Sequence, residues 1–80
     1  IENLIVVEPA SPLKGADDRE MLQFQTLTFA PIDRALIDVN LMTSSELDWL
    51  NAYHANVFKK LANLCSAETQ AWLKQACKPL

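Results

Sequence analysis

The chain has 80 residues, of which 50% are hydrophobic and 21% are charged, with one glycine and four prolines. This composition is typical of a folded protein and excludes a low-complexity or disordered chain. A chain of this length buries only about 60 to 65% of its unfolded surface, so its own core is marginal. Ten acidic and seven basic residues give a net charge of −3, which argues against a nucleic-acid partner.

Apolar runs in the sequence are short. The longest uncharged apolar run, Leu4 to Val7, is far below the roughly 20 residues that span a bilayer, and no signal-peptide pattern opens the chain. The chain also starts without Met, which suggests that it enters in the middle of a larger protein. We therefore expect a cytoplasmic protein without a membrane partner.

The first 30 residues predict a pair of strands. Residues 1–8 are rich in Ile, Leu and Val and stop at Pro9, which cannot donate to a strand ladder, so a mostly buried strand is expected. Residues 21–30 alternate in character until Pro31 and predict a second strand. The loop 9–20 is rich in turn-forming residues. An antiparallel hairpin is the simplest arrangement.

Residues 31–42 show no clean periodicity and predict an irregular connection. Four apolar side chains are its expected anchors to a core: Ile32, Leu36, Ile37 and Val39.

Residues 43–80 predict a helical hairpin. Thr43 and Glu46 have the spacing of a capping box, and Ser66 can cap a second helix that runs to about Cys77. The first helix carries a continuous apolar stripe, formed by Leu47, Leu50, Tyr53, His54, Val57, Phe58, Leu61, Leu64 and Cys65. The second helix is expected to bury Trp72, Leu73 and Ala76. The fold class predicted from these elements is α+β.

The two cysteines, Cys65 and Cys77, have no zinc-site spacing and are expected to be buried thiols. If residues 66–76 are helical, the cysteines lie at opposite ends of about 11 residues, some 16 Å apart. This separation exceeds what a disulfide allows. We expect no bridge.

Glu2 is the first candidate functional residue. It shares a predicted strand face with Leu4 and Val6, so burial of that face would require a cation, a metal or hydrogen-bond donors around its carboxylate. The alternative is a solvated carboxylate at a frayed strand end, which composition alone favours.

His54 and the two tryptophans are the other candidates. His54 lies within the apolar stripe, without a second titratable group one helical turn away on that face, which favours a packed neutral imidazole bonded to a backbone carbonyl. A metal ligand or catalytic base is the alternative. Trp49 and Trp72 lie at helical spacing, which favours core packing over stacking on a ligand.

Three stretches of the sequence are similar to one enzyme family. The segments "IENLIVVEP", "FQTLTFAPIDRALIDVNLMTSSELDWLNAYH" and "AWLKQACKPL" resemble the carboxyl-terminal end of the Xaa-Pro aminopeptidases, the aminopeptidase P group of pita-bread metallopeptidases. The likeness covers nearly the whole chain and is most specific in "LTFAPID", "WLNAYH" and the closing "WL" and "KPL". Residues 10–19 carry no recognisable signature.

The resemblance implies the end of a pita-bread catalytic domain, in an enzyme that cleaves between an N-terminal residue and a following proline. Such enzymes hold two divalent metal ions, typically Mn²⁺ with Zn²⁺ or Co²⁺ as alternatives, on two Asp, one His and two Glu. The last Glu lies in a strand that reads like "RIEN", so the resemblance places Glu2 on that metal ligand. The other ligands would lie upstream, so no catalytic residue is expected within residues 1–80 and the chain alone should be inactive.

The resemblance also implies partners. These are the remainder of the chain's own catalytic domain and peptide substrates with proline at the second position, and a homodimer stays open. The alternative is a non-catalytic pita-bread relative that acts as a protein- or peptide-binding module. The two classes differ in whether the upstream metal ligands are present.

Overall fold

The computed structural model describes residues 2–80, which form a two-stranded antiparallel sheet followed by two α-helices. The strands are β1 (Ile5–Pro9) and β2 (Leu22–Thr26), and the helices are α1 (Ser44–Leu61) and α2 (Ala67–Ala76). Single 3₁₀ turns occur at Arg34–Leu36, Val39–Leu41 and Ala62–Leu64. The predicted α+β class, with a hairpin, a connection and two helices in that order, is confirmed.

Both strands are shorter than predicted. β1 begins at Ile5, although Ile1 lies outside the described residues, and β2 ends at Thr26 instead of near Ala30. The pairing places Ile5 opposite Thr26 and continues to Pro9 opposite Leu22. Before Ile5 the pairing becomes irregular: the Leu27 N–H still donates to the Leu4 carbonyl at 2.8 Å, but the Leu4 N–H donates to the Thr28 hydroxyl at 3.1 Å and not to a backbone carbonyl.

The prediction that β1 is mostly buried is wrong for this chain. Ile5, Val6 and Val7 are 42 to 54% exposed, and Phe24 on the partner strand is 69% exposed. A two-stranded sheet has no neighbouring strands, and the buried side chains of the helices pack on residues 29–42 instead. Both faces of the hairpin therefore lack cover from residues 2–80.

The connection between the hairpin and α1 is built on two aspartates. The Asp33 carboxylate accepts the Ala35 N–H at 2.9 Å, and the Asp38 carboxylate accepts the Asn40 N–H, also at 2.9 Å. Each bond caps one 3₁₀ turn, which is a common role of aspartate in tight turns. The segment predicted to be irregular thus consists largely of two capped turns.

Only two of the four predicted anchors in this connection reach the core. Ile32 and Ile37 pack against it, whereas Val39 is exposed and Leu36 is 85% exposed. The 3₁₀ turns explain the difference, because a short turn directs successive side chains to different sides and only some face α1.

The helix starts follow the predicted caps. The Thr43 hydroxyl accepts the Glu46 N–H at 3.3 Å, and the Glu46 carboxylate accepts the Thr43 N–H at 2.8 Å, which completes the capping box. These bonds from Thr43 hold the pKa of Glu46 below its ordinary value. Ser66 caps α2 by accepting the Thr69 N–H at 3.3 Å.

A small core joins the helices and the connection. Its buried members are Leu50, Tyr53, His54 and Val57 of α1 together with Ala62, Leu73 and Cys77. Leu73 is the one buried side chain of α2, so the expected burial of Trp72 is wrong and its ring is 61% exposed. Leu64, predicted on the stripe, is also exposed, because the 3₁₀ turn at Ala62–Leu64 ends the α-helical periodicity there.

Both cysteines are free thiols, as predicted. Cys65 is half-buried and Cys77 is buried, and burial raises the pKa of the Cys77 thiol. The expected burial is therefore complete for Cys77 and only partial for Cys65.

Residues 78–80 are held in place by the rest of the chain. The Asn51 side-chain carbonyl accepts the Leu80 N–H at 2.9 Å, and the Arg34 guanidinium donates to the Lys78 carbonyl. The connection, α1 and the last residues are thus joined by side-chain hydrogen bonds. Across residues 2–80 no helix is both long enough and apolar enough to cross a membrane.

We expect the chain expressed alone to associate or to melt without a sharp transition, because the hairpin exposes apolar side chains and the core is small. Sedimentation velocity and calorimetry measure both properties. The variant Phe24→Lys should reduce association while leaving helix content unchanged. A monodisperse monomer with a cooperative melt above about 65 °C would contradict this expectation.

Candidate functional site

A cleft of about 350 Å³ lies where the residues before β1 meet the residues after β2. Its walls include Glu2, Leu4, Thr28, Pro31, Ile32 and Tyr53. Glu2 is the one carboxylate in this lining, and the resemblance to Xaa-Pro aminopeptidases places a metal ligand at its position. The cleft is therefore the candidate site.

Glu2 lies before β1 and is exposed. The face that it was predicted to share with Leu4 and Val6 is exposed as well, so burial within this chain does not by itself demand a partner for the carboxylate. Glu2 makes no hydrogen bond or salt bridge to residues 3–80.

Among the side chains that line the cleft, the Glu2 carboxylate is the one group that commonly binds a metal ion. Carboxylate oxygens suit hard divalent cations. Among residues 2–80, however, no three Asp, Glu, His or Cys side chains come together as a metal site. Residues 2–80 therefore do not form a complete metal site around Glu2.

Tyr53 of α1 is bonded to the backbone that forms the far wall of the cleft. Its hydroxyl accepts the Ala30 N–H at 3.2 Å and lies 3.0 Å from the Ala30 carbonyl and 3.2 Å from the Thr28 carbonyl, which share its proton. These contacts satisfy backbone groups of an extended segment that has no strand partner. Tyr53 thereby fixes residues 28–30 against α1.

His54 makes the next contact along the same segment. Its Nε2 accepts the Ile32 N–H at 3.0 Å, and the ring is fully buried. The prediction of a packed histidine is confirmed, but the predicted carbonyl partner is wrong, because the imidazole accepts a hydrogen bond from a backbone N–H and donates none to a carbonyl of residues 2–80. We call Tyr53 and His54, which together hold residues 28–32, the α1 clamp.

The environment of His54 favours its neutral form. Burial, and to a lesser degree the positive charge of Arg34, lowers the pKa of the imidazole. An Nε2 that accepts the Ile32 N–H requires the proton on Nδ1, which is buried without a partner among residues 2–80. Protonation of Nε2 would break the bond to Ile32.

The tryptophans contribute differently from the prediction. Trp49 is half-exposed and stacks on Tyr53, with ring centroids 5.5 Å apart and an interplanar angle of 3°. It also lines a second cleft of about 370 Å³, beside Asn3, Ile5, Phe24 and Thr26. Trp72 lines neither cleft. The expected core packing is therefore wrong for Trp72 and only partial for Trp49.

Sequence reasoning did not name Thr28 as a site residue and placed Tyr53 only on the apolar stripe of α1, yet both form part of the cleft wall. The sequence offered no signal for Thr28, because its place opposite Asn3 depends on the strand register, which the structure supplies. It offered none for the role of Tyr53 either, since tyrosine on an apolar helical stripe is equally typical of plain core packing.

The chain matches a family model over most of its length. Residues 20–80 match the model described as the C-terminal region of peptidase M24. The chain belongs to this family. Its relatives include Aminopeptidase P2 of Arabidopsis thaliana, 41% identical over 81 residues, and a probable Xaa-Pro aminopeptidase P of Tuber melanosporum, 38% identical over 82 residues. Each match covers all of this chain but only 11% and 13% of the relative.

A solved structure shows the same arrangement in this peptidase M24 family. The X-prolyl aminopeptidase of Caenorhabditis elegans, described as a cytosolic enzyme with a di-nuclear active site, matches this chain with a TM-score of 0.80 and 34% identity. The match covers 100% of this chain and 13% of that protein. The predicted resemblance to the carboxyl-terminal end of Xaa-Pro aminopeptidases is confirmed, and the chain spans about an eighth of such a protein.

We expect His54→Ala to destabilise the complete protein that contains this chain, here called the parent protein, by about 1 to 3 kcal/mol at pH 7, through a cavity and an unpaired Ile32 N–H. The loss in the free energy of unfolding caused by His54→Ala should be smaller at pH 5 than at pH 7. The unfolded imidazole titrates near pH 6.5, and the lower folded pKa means that protons bind the unfolded state first. The stability that His54 contributes through its neutral form is therefore fully present above pH 6.5 and declines progressively as the pH falls below that value.

Urea unfolding at pH 7 and pH 5 measures this effect. Asn51→Ala is the matched control, because it removes a hydrogen bond from the same helix without removing a titratable group. Its deficit should be equal at the two pH values. A His54→Ala deficit that stayed constant or grew towards pH 5 would contradict a neutral native imidazole.

Proposed function

We propose that this chain is the C-terminal part of a metal-dependent aminopeptidase that hydrolyses the bond between an N-terminal residue and a following proline. The supporting observation is the match of the whole chain, at 34 to 41% identity, to proteins named as aminopeptidase P or X-prolyl aminopeptidase. The substrates would be peptides with proline at the second position. Residues 1–80 alone would be inactive, since they lack most of the site.

Within this proposal Glu2 is a ligand of two divalent metal ions, with Mn²⁺ as the expected metal and Zn²⁺ or Co²⁺ as alternatives. Its support is an exposed carboxylate on the wall of the cleft, without a partner among residues 3–80. Bound divalent ions supply Lewis acidity and activate water for attack on a peptide carbonyl. Glu2 contributes negative charge and one or two oxygens, and the α1 clamp fixes the opposite wall.

The remainder of the catalytic domain is the proposed partner of the hairpin. Contiguous exposed apolar surface is typical of a surface that another element covers, and both strands of the hairpin carry it here. The proposed location is cytoplasmic, because the C. elegans relative is described as a cytosolic enzyme. The homodimer implied by the resemblance stays a prediction.

We expect Glu2→Gln in the parent protein to lower metal content and turnover by roughly a hundredfold or more, because it removes a negative ligand from a two-metal site. The melting temperature of the metal-free protein should change little, since the exposed Glu2 side chain makes no hydrogen bond or salt bridge to residues 3–80. Metal analysis after gel filtration, hydrolysis of an Xaa-Pro peptide and calorimetry measure the three quantities.

Glu8→Gln is the control for this experiment. Glu8 lies on β1 outside the cleft, and its carboxylate accepts a hydrogen bond from the Gln23 side chain at 2.7 Å, so its substitution should leave metal content at the wild-type level. Wild-type metal content in Glu2→Gln would show that Glu2 is not a ligand. A parent protein that takes up no metal when Mn²⁺ is supplied, and that binds proline-containing peptides without cleaving them, would favour the binding-module alternative over the enzyme.

A further inference from the structure

The hydrogen bonds around Thr28 are unusual for a strand end. Continuing the register of β1 and β2 places Leu4 opposite Leu27 and Asn3 opposite Thr28. The Leu27 N–H donates to the Leu4 carbonyl at 2.8 Å, as in a regular ladder. The Leu4 N–H, however, donates to the Thr28 hydroxyl at 3.1 Å. The threonine side chain takes the place of a backbone carbonyl.

The same hydroxyl reaches the residue next to Glu2. The Thr28 hydroxyl lies 3.4 Å from the Asn3 side-chain carbonyl, towards which it can donate its proton. A single side chain therefore contacts both Asn3 and Leu4, the two residues that follow Glu2. Both residues precede β1, which begins at Ile5, and the one ladder bond that reaches them is the bond from the Leu27 N–H to the Leu4 carbonyl.

Thr28 is itself fixed from the other side. Its backbone carbonyl lies 3.2 Å from the Tyr53 hydroxyl, and Tyr53 is anchored in the core of α1 with 6% of its surface exposed. A chain of hydrogen bonds thus leads from the core through Thr28 to the backbone beside Glu2. Side chains at functional sites need supporting contacts of this kind, because about 0.5 Å of freedom degrades a ligand set.

We propose that Thr28 is a positioning residue for Glu2: its hydroxyl sets the course of residues 3 and 4 and so fixes where the Glu2 carboxylate enters the cleft. This inference rests on the proposed function, in which Glu2 is a metal ligand. Thr28 itself would not touch the metal or the substrate. Its effect on metal affinity depends on the hydroxyl, because its β-branched shape alone cannot accept the Leu4 N–H.

The test compares four forms of the parent protein: wild type, Thr28→Val, Thr28→Ser and Thr26→Val. Valine keeps the shape and removes the hydroxyl, whereas serine keeps the hydroxyl. Thr26 is the matched control, since it lies two residues earlier on β2 and its hydroxyl takes no part in these bonds. The readouts are the dissociation constant for Mn²⁺, from titration of the metal-free protein by electron paramagnetic resonance, and the melting temperature of the metal-free protein.

Thr28→Val should weaken Mn²⁺ binding by roughly 10- to 100-fold, the usual cost of losing a contact that orients a metal ligand. Thr28→Ser and Thr26→Val should stay within a few-fold of wild type. If Thr28→Val lowers the melting temperature and leaves Mn²⁺ affinity unchanged, its role is merely structural and the inference fails. The inference also fails if serine is as damaging as valine.

A double-mutant cycle with Glu2→Gln separates this inference from the proposed function. If Thr28 acts through Glu2, Thr28→Val should have little further effect on the residual Mn²⁺ affinity of the Glu2→Gln protein. Additive losses would overturn the positioning role. If the Glu2→Gln protein binds Mn²⁺ as tightly as wild type, both the metal-ligand assignment and this inference fail. If Glu2→Gln weakens Mn²⁺ binding and Thr28→Val does not, this inference alone fails.

Discussion

The α1 clamp is the interaction on which the rest of this structure depends. Residues 28–32 run between the sheet and the first 3₁₀ turn without a strand partner, so their backbone groups need other partners when they approach the core. Tyr53 and His54 supply them from adjacent positions on one helix. Because the hairpin continues directly into this segment, Tyr53 and His54 set the position of the hairpin relative to the helices. The shape of the cleft beside Glu2 depends on that position.

Local signals in the sequence predicted the helical part of the fold well. The capping box at Thr43 and the cap at Ser66 depend on residues three positions apart, and both are present as predicted. Burial was predicted less well. Ile5, Val7 and Trp72 have the composition of buried residues, but whether they are covered depends on distant chain segments. Apolar residues at regular spacing show which side of a helix or strand is apolar. Whether that side is buried depends on the tertiary structure.

At the candidate site, too, some features could be predicted from the sequence and others could not. The resemblance directed attention to Glu2, and periodicity placed His54 on the packed stripe of α1. Neither could show that the His54 imidazole accepts the Ile32 N–H, since the partner is 22 residues away in sequence. The shortening of β1 was equally hidden, because the Leu4 N–H is diverted by one hydroxyl on the other strand. Pairings of this kind depend on register and distance, which composition does not encode.

The anchoring of residues 78–80 has a practical consequence for handling this protein. Leu80 is half-buried and bonded through its N–H to Asn51, and the Lys78 carbonyl accepts from Arg34. Deleting these three residues would remove the hydrogen-bond partners of two side chains in different parts of the fold. An affinity tag or a fluorescent fusion joined at Leu80 would begin at a fixed point beside α1, so a flexible spacer is needed to keep the added sequence from straining that attachment.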